Sequence, residues 1–282
     1  PFFCSMDITN DVSLITFVPF AIAVLRLARQ ETLVVPLIAM QTLAANLGSM
    51  LTPMGNPQNL YLYAQSGMDF WSFCGLMLPY VLLSGICLAA FCLFRPAQPV
   101  AAVSMEYQKQ DLKKLACFCI GFLLCLLGLF DLLPPLAIAA VTALFLLIFD
   151  RPLLAKIDYS LLATFLAFFV FIGNLGALEE FQTFLSSILS GYEELVSVLA
   201  SQIISNVPAA LLLSGFTQQW SALIVGCNLG GLGTLIASMA SLISYKQVAQ
   251  EYPAKKGRYF LWFTLANVGL LAILLLESWL LG

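Results

Sequence analysis

Long apolar runs, interrupted by short polar or proline-bearing segments, dominate this chain. They begin within the first 20 positions and recur up to residue 281. A helix needs about 20 apolar residues to cross the hydrocarbon of a bilayer. The pattern predicts an all-α polytopic membrane protein, with one long interrupted span at 31–64 and a plain span at 72–94. Two spans follow at 115–149, joined at Asp131 to Pro135, and another lies at 160–178. The last three apolar runs are 195–216, 219–245 and 259–281. Composition agrees: of 282 residues 61% are hydrophobic and 10% charged, against roughly 25% charged in a soluble domain. Mean hydropathy is +0.96.

Lysine and arginine set orientation, because short cytoplasmic loops retain them. All twelve fall into four clusters: Arg26 and Arg29; Arg95, Lys109, Lys113 and Lys114; Arg151 and Lys156; Lys246, Lys255, Lys256 and Arg258. With every cluster cytoplasmic, the chain crosses an even number of times between neighbours. Residues 157–245 hold three apolar runs, which breaks that parity unless the middle one, 195–216, is re-entrant. It carries Ser205-Asn206-Val207-Pro208 near its midpoint, a polar, helix-breaking apex, and Pro208 suits the first turn of a returning half-helix. The outer loops then hold Asp69, Asp131, Glu179, Glu180, Glu193 and Glu194 without a basic residue. The C-terminus is expected outside, and the basic loops in the cytoplasm.

The chain also repeats itself. Asn46 to Leu60 aligns without gaps on Asn228 to Leu242, with Asn46/Asn228, Leu47/Leu229, Gly48/Gly230, Thr52/Thr234 and Leu60/Leu242 identical. A polar break precedes each copy, Thr9-Asn10-Asp11 in one case and Ser205-Asn206-Val207 in the other. The order of hairpin apex, broken span and plain span therefore occurs twice, and the charge reading runs the copies in opposite directions. Inverted repeats with paired breaks are the sign of a secondary transporter. The expected organisation is residues 1–96 as the later part of a first repeat, a cytoplasmic linker at 97–114, and residues 115–282 as the second repeat. Matching halves would place about three helices and half a hairpin before Pro1.

Unwound backbone in hydrocarbon is tolerated only where it is buried in protein or lines a cavity. Half-helix N-termini favour an anion, and half-helix C-termini offer carbonyl oxygens to a cation. The candidate site is accordingly Thr9, Asn10, Asp11, Asn46, Gly48, Thr52, Gly55, Asn56, Asn59, Ser205, Asn206, Asn228, Gly230, Thr234 and Ser238. Asp11 reads either as a helix-capping acid or as a proton or sodium carrier. Asn174 reads as an interhelical hydrogen bond.

Other chemistries are poorly served. Without histidine there is no Ser-His dyad and no HExxH-type zinc site, and no cofactor is called for beyond a coupling Na⁺ or H⁺. The eight cysteines include no CxxC pair and read as small packing residues. Twelve scattered basic residues and a net charge of −3 offer nucleic acid no surface. The expected partners are the lipid bilayer and a small anionic substrate.

The segments ITNDVSLITFVPF, ANLGSMLTPMGNPQNLYLY, SNVPAALLLSGF and CNLGGLGTLIASMASLISYK resemble the ion-transporter superfamily, in particular its citrate-transporter-like and arsenite-permease-like members. The resemblance implies two inverted halves, Ser/Thr-Asn hairpin tips, homodimerisation, and elevator-like movement of the substrate-carrying part. It also implies sodium held near Asn10 and Gly48 in one half and near Asn206 and Gly230 in the other. In related sodium-coupled dicarboxylate carriers both tips read Ser-Asn-Thr. Here the third position is Asp11 or Val207, and an Asn-Asp pair looks more like the arsenite-permease branch. The expected function is secondary transport of a small anion, coupled to Na⁺ or H⁺. Arsenite or antimonite efflux and Na⁺/H⁺ exchange are alternatives within that class, and an ion channel is one outside it. An enzyme is not expected.

Overall fold

The computed structural model describes residues 1–94, 112–129, 134–157, 159–175 and 177–281. Arg95, Lys109, the linker as far as residue 111, and Asp131 of the expected turn lie outside the described residues. Among the described residues the chain is helical, without strands. Pro1–Val103 and Phe168–Gly282 form one compact unit, and Ser104–Ala167 form another.

The first unit opens with α1 (Cys4–Asp7), α2 (Asn10–Leu27), α3 (Val34–Gly48), α4 (Pro57–Ser66) and α5 (Phe70–Leu93). The second unit contains α6 (Leu112–Leu129), α7 (Pro135–Phe149) and α8 (Arg151–Leu154), and α9 (Tyr159–Leu175) runs across the division. The first unit resumes with α10 (Glu179–Leu189), α11 (Glu193–Ile204), α12 (Asn206–Leu213), α13 (Trp220–Leu229), α14 (Met239–Glu251) and α15 (Lys256–Leu281).

Among the described residues three helices, Asn10–Leu27, Phe70–Leu93 and Pro253–Leu281 with its leading turn, are long and apolar enough to cross a membrane. Each buries a single stripe. In α15 it is Tyr259, Phe263, Asn267, Leu270 and Leu274, and in α5 it is Phe73, Met77, Tyr80, Val81, Ser84 and Leu88. Spacings of three and four residues keep one helical face inward. The opposite faces are also apolar: Ile86 is 64% exposed and Trp279 77%. Each such side chain would cost about 1.5–3 kcal/mol against water, a penalty that vanishes in lipid. This multi-pass membrane protein has its hydrophobic surface outside and its polar residues within: Asn46, Ser49, Asn59, Ser201, Asn228 and Ser241 are all buried.

The two runs marked by repeat residues are each split. α3 stops at Gly48, a 3₁₀ turn covers Pro53–Gly55, and Pro57 starts α4 at a position where its missing N–H is not needed. α13 stops at Leu229 and α14 starts at Met239, with Gly233 at φ 105° between them. Neither partner helix exceeds 15 residues.

α11 and α12 form a helical hairpin about Ser205, and the Thr217 hydroxyl, past the end of α12, donates to Glu193 at the start of α11 (3.4 Å). Near the amino terminus the chain doubles back in the same way, Ser13 Oγ donating to the Pro1 carbonyl (3.4 Å).

Two local expectations change. Glu179, Glu180, Glu193 and Glu194 are not loop residues but occupy the first turns of α10 and α11, where carboxylates complement the helix dipole. Among the described residues Asn174 bridges no two helices; its amide donates to Val170 O one turn earlier (2.7 Å). Of the cysteines, all free, only Cys227 is fully buried.

Candidate functional site

Asn46, in the last turn of α3, joins elements far apart in sequence. Its Oδ1 accepts from Asn10 Nδ2 at 2.9 Å and from Ser238 Oγ at 3.2 Å, and its Nδ2 donates to Ser241 Oγ at 3.3 Å. Asn10 is the first residue of α2 and Ser238 the N-cap of α14. The positive ends of two helices thus meet at one buried amide, where the helix dipoles favour an anion. Thr9 caps α2 through Val12 N (3.4 Å), and Asn10 Oδ1 accepts from Asp11 N (2.8 Å). Asp11 follows in the first turn, its Oδ1 buried without a hydrogen bond among the described residues.

The break in the first split run is closed by its own side chains. Asn56 Nδ2 donates to Ser49 Oγ (2.8 Å), and Asn59 Nδ2 donates to Ser49 O (3.3 Å) and Thr52 O (3.4 Å). A Cβ on Gly55 would lie 2.0 Å from Ser49 O, so only glycine admits this turn. The second break is closed by Gln202 of α11. Its Nε2 donates to Gly230 O (3.0 Å) and Leu232 O (2.9 Å), and its Oε1 accepts from Thr234 N (2.9 Å). The apex rests on the same segment: Asn206 N and Ser205 Oγ both donate to Ala237 O, at 2.9 and 3.3 Å. Ser205 has φ 73° and ψ 153°, a region almost reserved for glycine that costs about 1–3 kcal/mol for another residue.

The two copies make matching contacts. A Cβ on Gly48 would lie 2.7 Å from Ser5 Oγ, and one on Gly230 would lie 2.5 Å from Ser201 Oγ. Ser5 precedes Asn10 by as many residues as Ser201 precedes Asn206. Thr52 Oγ1 donates to Met6 O, and Thr234 Oγ1 donates to Gln202 O (3.4 Å). Met6 and Gln202 again stand at the same distance from the two asparagines. In both places a glycine admits a serine of the hairpin, and a threonine four residues on grips the next carbonyl.

The match has one exception. Asn228, the counterpart of Asn46, donates only to Ile224 O in its own helix (2.9 Å), and its buried Oδ1 has no partner among the described residues. The Asn206 amide, which would correspond to that of Asn10, lies 2.9 Å from where a Cβ on Gly231 would stand and has no side-chain hydrogen bond among the described residues. No lysine or arginine joins any of these contacts.

Ser5, Ser49, Ser201, Gln202 and Ser241 belong to this cluster although the sequence motifs did not single them out. Extending the comparison of the two apices upstream finds the serine pair, since Ser-x₃-(Ser/Thr)-Asn occurs at both. Ser241 stands opposite Asn59 in the aligned repeat, whereas Gln202 has no such signal, because its partners come from tertiary contact.

A family model described as citrate transporter matches residues 2–220. The chain is 35% identical over 249 residues to an uncharacterized transporter of Methanocaldococcus jannaschii, which covers 86% of this chain and 67% of that protein. It is 31% identical over 247 residues to the inner membrane protein YbiR of Escherichia coli, covering 86% and 66%. It therefore spans about two thirds of the length of these relatives. Over 111 residues, 39% of this chain and 17% of the other, it is 32% identical to a Dictyostelium discoideum protein described as transporter arsB.

Proposed function

This chain belongs to the citrate transporter family, and from that premise we propose a secondary active transporter. It carries a small anion, a carboxylate such as citrate or an inorganic oxyanion, across the cytoplasmic membrane with Na⁺ or H⁺ by alternating access. Residues 1–96 and 115–282 act as inverted halves joined by the linker at 97–114. The hairpin around Ser205 is re-entrant, the basic loops are cytoplasmic and the C-terminus is outside. The working unit is a homodimer.

One observation carries the proposal. The same hairpin-to-break contacts occur twice, and the asparagine pair that is hydrogen-bonded in one copy is open in the other. A closed Asn10–Asn46 pair fixes the first half. Asn206 and Asn228 leave a donor and a buried acceptor for a ligand, which replaces the missing bond on binding.

The absence of basic side chains from these contacts points to ion coupling. An anion placed here meets N–H dipoles at the starts of α2 and α14 but, among the described residues, no full positive charge. Taking an uncompensated charge from water into a low-dielectric site costs several kcal/mol. A cation entering with it neutralises the pair. Carbonyls near Gly48 and Gly230, beside Asn10 and Asn206, are the oxygen ligands that sodium requires. Asp11 supports a second reading, arsenite or antimonite efflux or Na⁺/H⁺ exchange, since a carboxyl at the apex offers a proton carrier.

The test is flux through the intact protein in proteoliposomes, with citrate, succinate, sulfate and arsenite under imposed sodium or proton gradients. Saturable uptake of one of them that follows a cation gradient supports transport. Ohmic conductance without saturation supports a channel instead.

A further inference from the structure

We infer that the crevice between α3, α5 and α15 binds an anionic phospholipid, with an acyl chain in the crevice and the phosphate against the basic start of α15. The crevice has a volume of about 490 Å³ and is lined almost wholly by apolar atoms. Met40 and Leu43 contribute from α3, Leu88 and Phe91 from α5, and Trp262 and Gly269 from α15. Phe91 and Trp262 meet edge to face at 5.7 Å, forming an aromatic rim. At Gly269 a Cβ would meet nothing within 4 Å, so the crevice stays open at that depth.

Lipid is the occupant because the site lies on helices whose outer surfaces are apolar throughout. The flanking Leu265 and Ile273 are 65% and 43% exposed. A void here would forfeit dispersion contacts along its lining, and acyl chains are the solvent at hand. Tail contact alone selects no lipid, since hydrocarbon is as apolar as leucine.

Charge supplies the selection. Trp262, Ala266 and Gly269 lie along one stripe of α15, and Arg258, four residues before Trp262, extends that stripe one turn toward the helix start. Arg258 and Lys256 are exposed and form no ion pair among the described residues. Lys255, by contrast, is engaged with Glu31 O (2.7 Å) and the Tyr252 ring. The two free cations stand where α15 leaves its apolar run, at headgroup depth, and each basic residue there favours an anionic headgroup about fivefold.

The test uses the intact protein with Trp262 as its sole tryptophan, Trp71, Trp220 and Trp279 having been changed to Phe. It is placed in vesicles of phosphatidylcholine containing a minor share of brominated phosphatidylglycerol or brominated phosphatidylcholine. Brominated phosphatidylglycerol is expected to quench Trp262 at about fivefold or greater lower mole fraction than brominated phosphatidylcholine. Arg258→Gln with Lys256→Gln should erase that preference while leaving quenching by phosphatidylcholine. Gly269→Leu fills open space and should reduce quenching by both. Equal quenching by the two lipids in the parent protein overturns the inference. So does protection of Trp262 from both, which would mean that a protein surface covers the crevice, and so does indifference to Gly269→Leu.

Discussion

Asn10 donates to Asn46 Oδ1 across 2.9 Å, joining the first residue of α2 to the last turn of α3. Ser238 and Ser241 of the second broken run complete the hydrogen bonding of the same amide. Replacing Asn46 with Ala leaves three buried donors or acceptors unpaired, at about 1–3 kcal/mol each where no water enters. Asn46→Ala should therefore lower the melting temperature in detergent as well as flux. Wild-type stability in that variant would show that the convergence is incidental.

The glycine contacts predict an asymmetric pair. An added methyl at Gly48 meets the Phe2 carbonyl at 2.0 Å, whereas at Gly230 the nearest atom is Ser201 Oγ at 2.5 Å. Backbone yields less readily than a side chain. Gly48→Ala should then be the more damaging, at or beyond the usual 1–3 kcal/mol of overpacking. Ser201→Gly should partly rescue Gly230→Ala, and Ser5→Gly should not rescue Gly48→Ala. Melting temperatures of the two singles and two doubles decide the matter, and equal damage or rescue in both copies counts against the contacts described.

Ser205 holds φ 73° and ψ 153° at the hairpin apex. Ser205→Gly relieves about 1–3 kcal/mol of backbone strain and removes a hydroxyl bond to Ala237 O worth about 1 kcal/mol. The variant should be as stable as the parent or more stable, with reduced flux because the apex is less rigidly placed. A clear loss of stability would mean that the hydroxyl, not the backbone, holds the turn.

Much of this architecture was legible in the chain because breaks inside apolar runs are conspicuous. Gly55, Asn56 and Pro57 end one helix and start another by local backbone chemistry, and Gly230 to Gly233 do the same. Ser205-Asn206 marked the hairpin tip for the same reason. What local chemistry does not specify stayed hidden. Nothing in the sequence announces that Ser241 completes the Asn46 amide, or that Gln202 does for the second break what Asn56 and Asn59 do for the first. The repeat suggested equal roles for Asn46 and Asn228, yet only Asn46 bonds an apex asparagine. α10 was hidden because its acids looked like loop residues, although they suit a helix start.

Asp11 separates capping from coupling. Asp11→Asn keeps the size of the side chain and removes its titratable proton. If the carboxyl carries the coupling proton, flux in the variant should no longer respond to an imposed pH gradient while substrate exchange at equal pH persists. An unchanged response to the gradient would leave Asp11 as a helix-start residue only.

The most direct measurement is gradient-driven uptake in proteoliposomes by Asn10→Ala and Asn206→Ala, set beside the parent protein at matched insertion. Loss of flux of about tenfold or more in both is the predicted result: Asn206→Ala removes one buried hydrogen bond to a charged ligand, and Asn10→Ala breaks the bond to Asn46 that fixes the first half. Parent-like flux in both variants would contradict the account, since the paired apices would then hold neither solute nor ion.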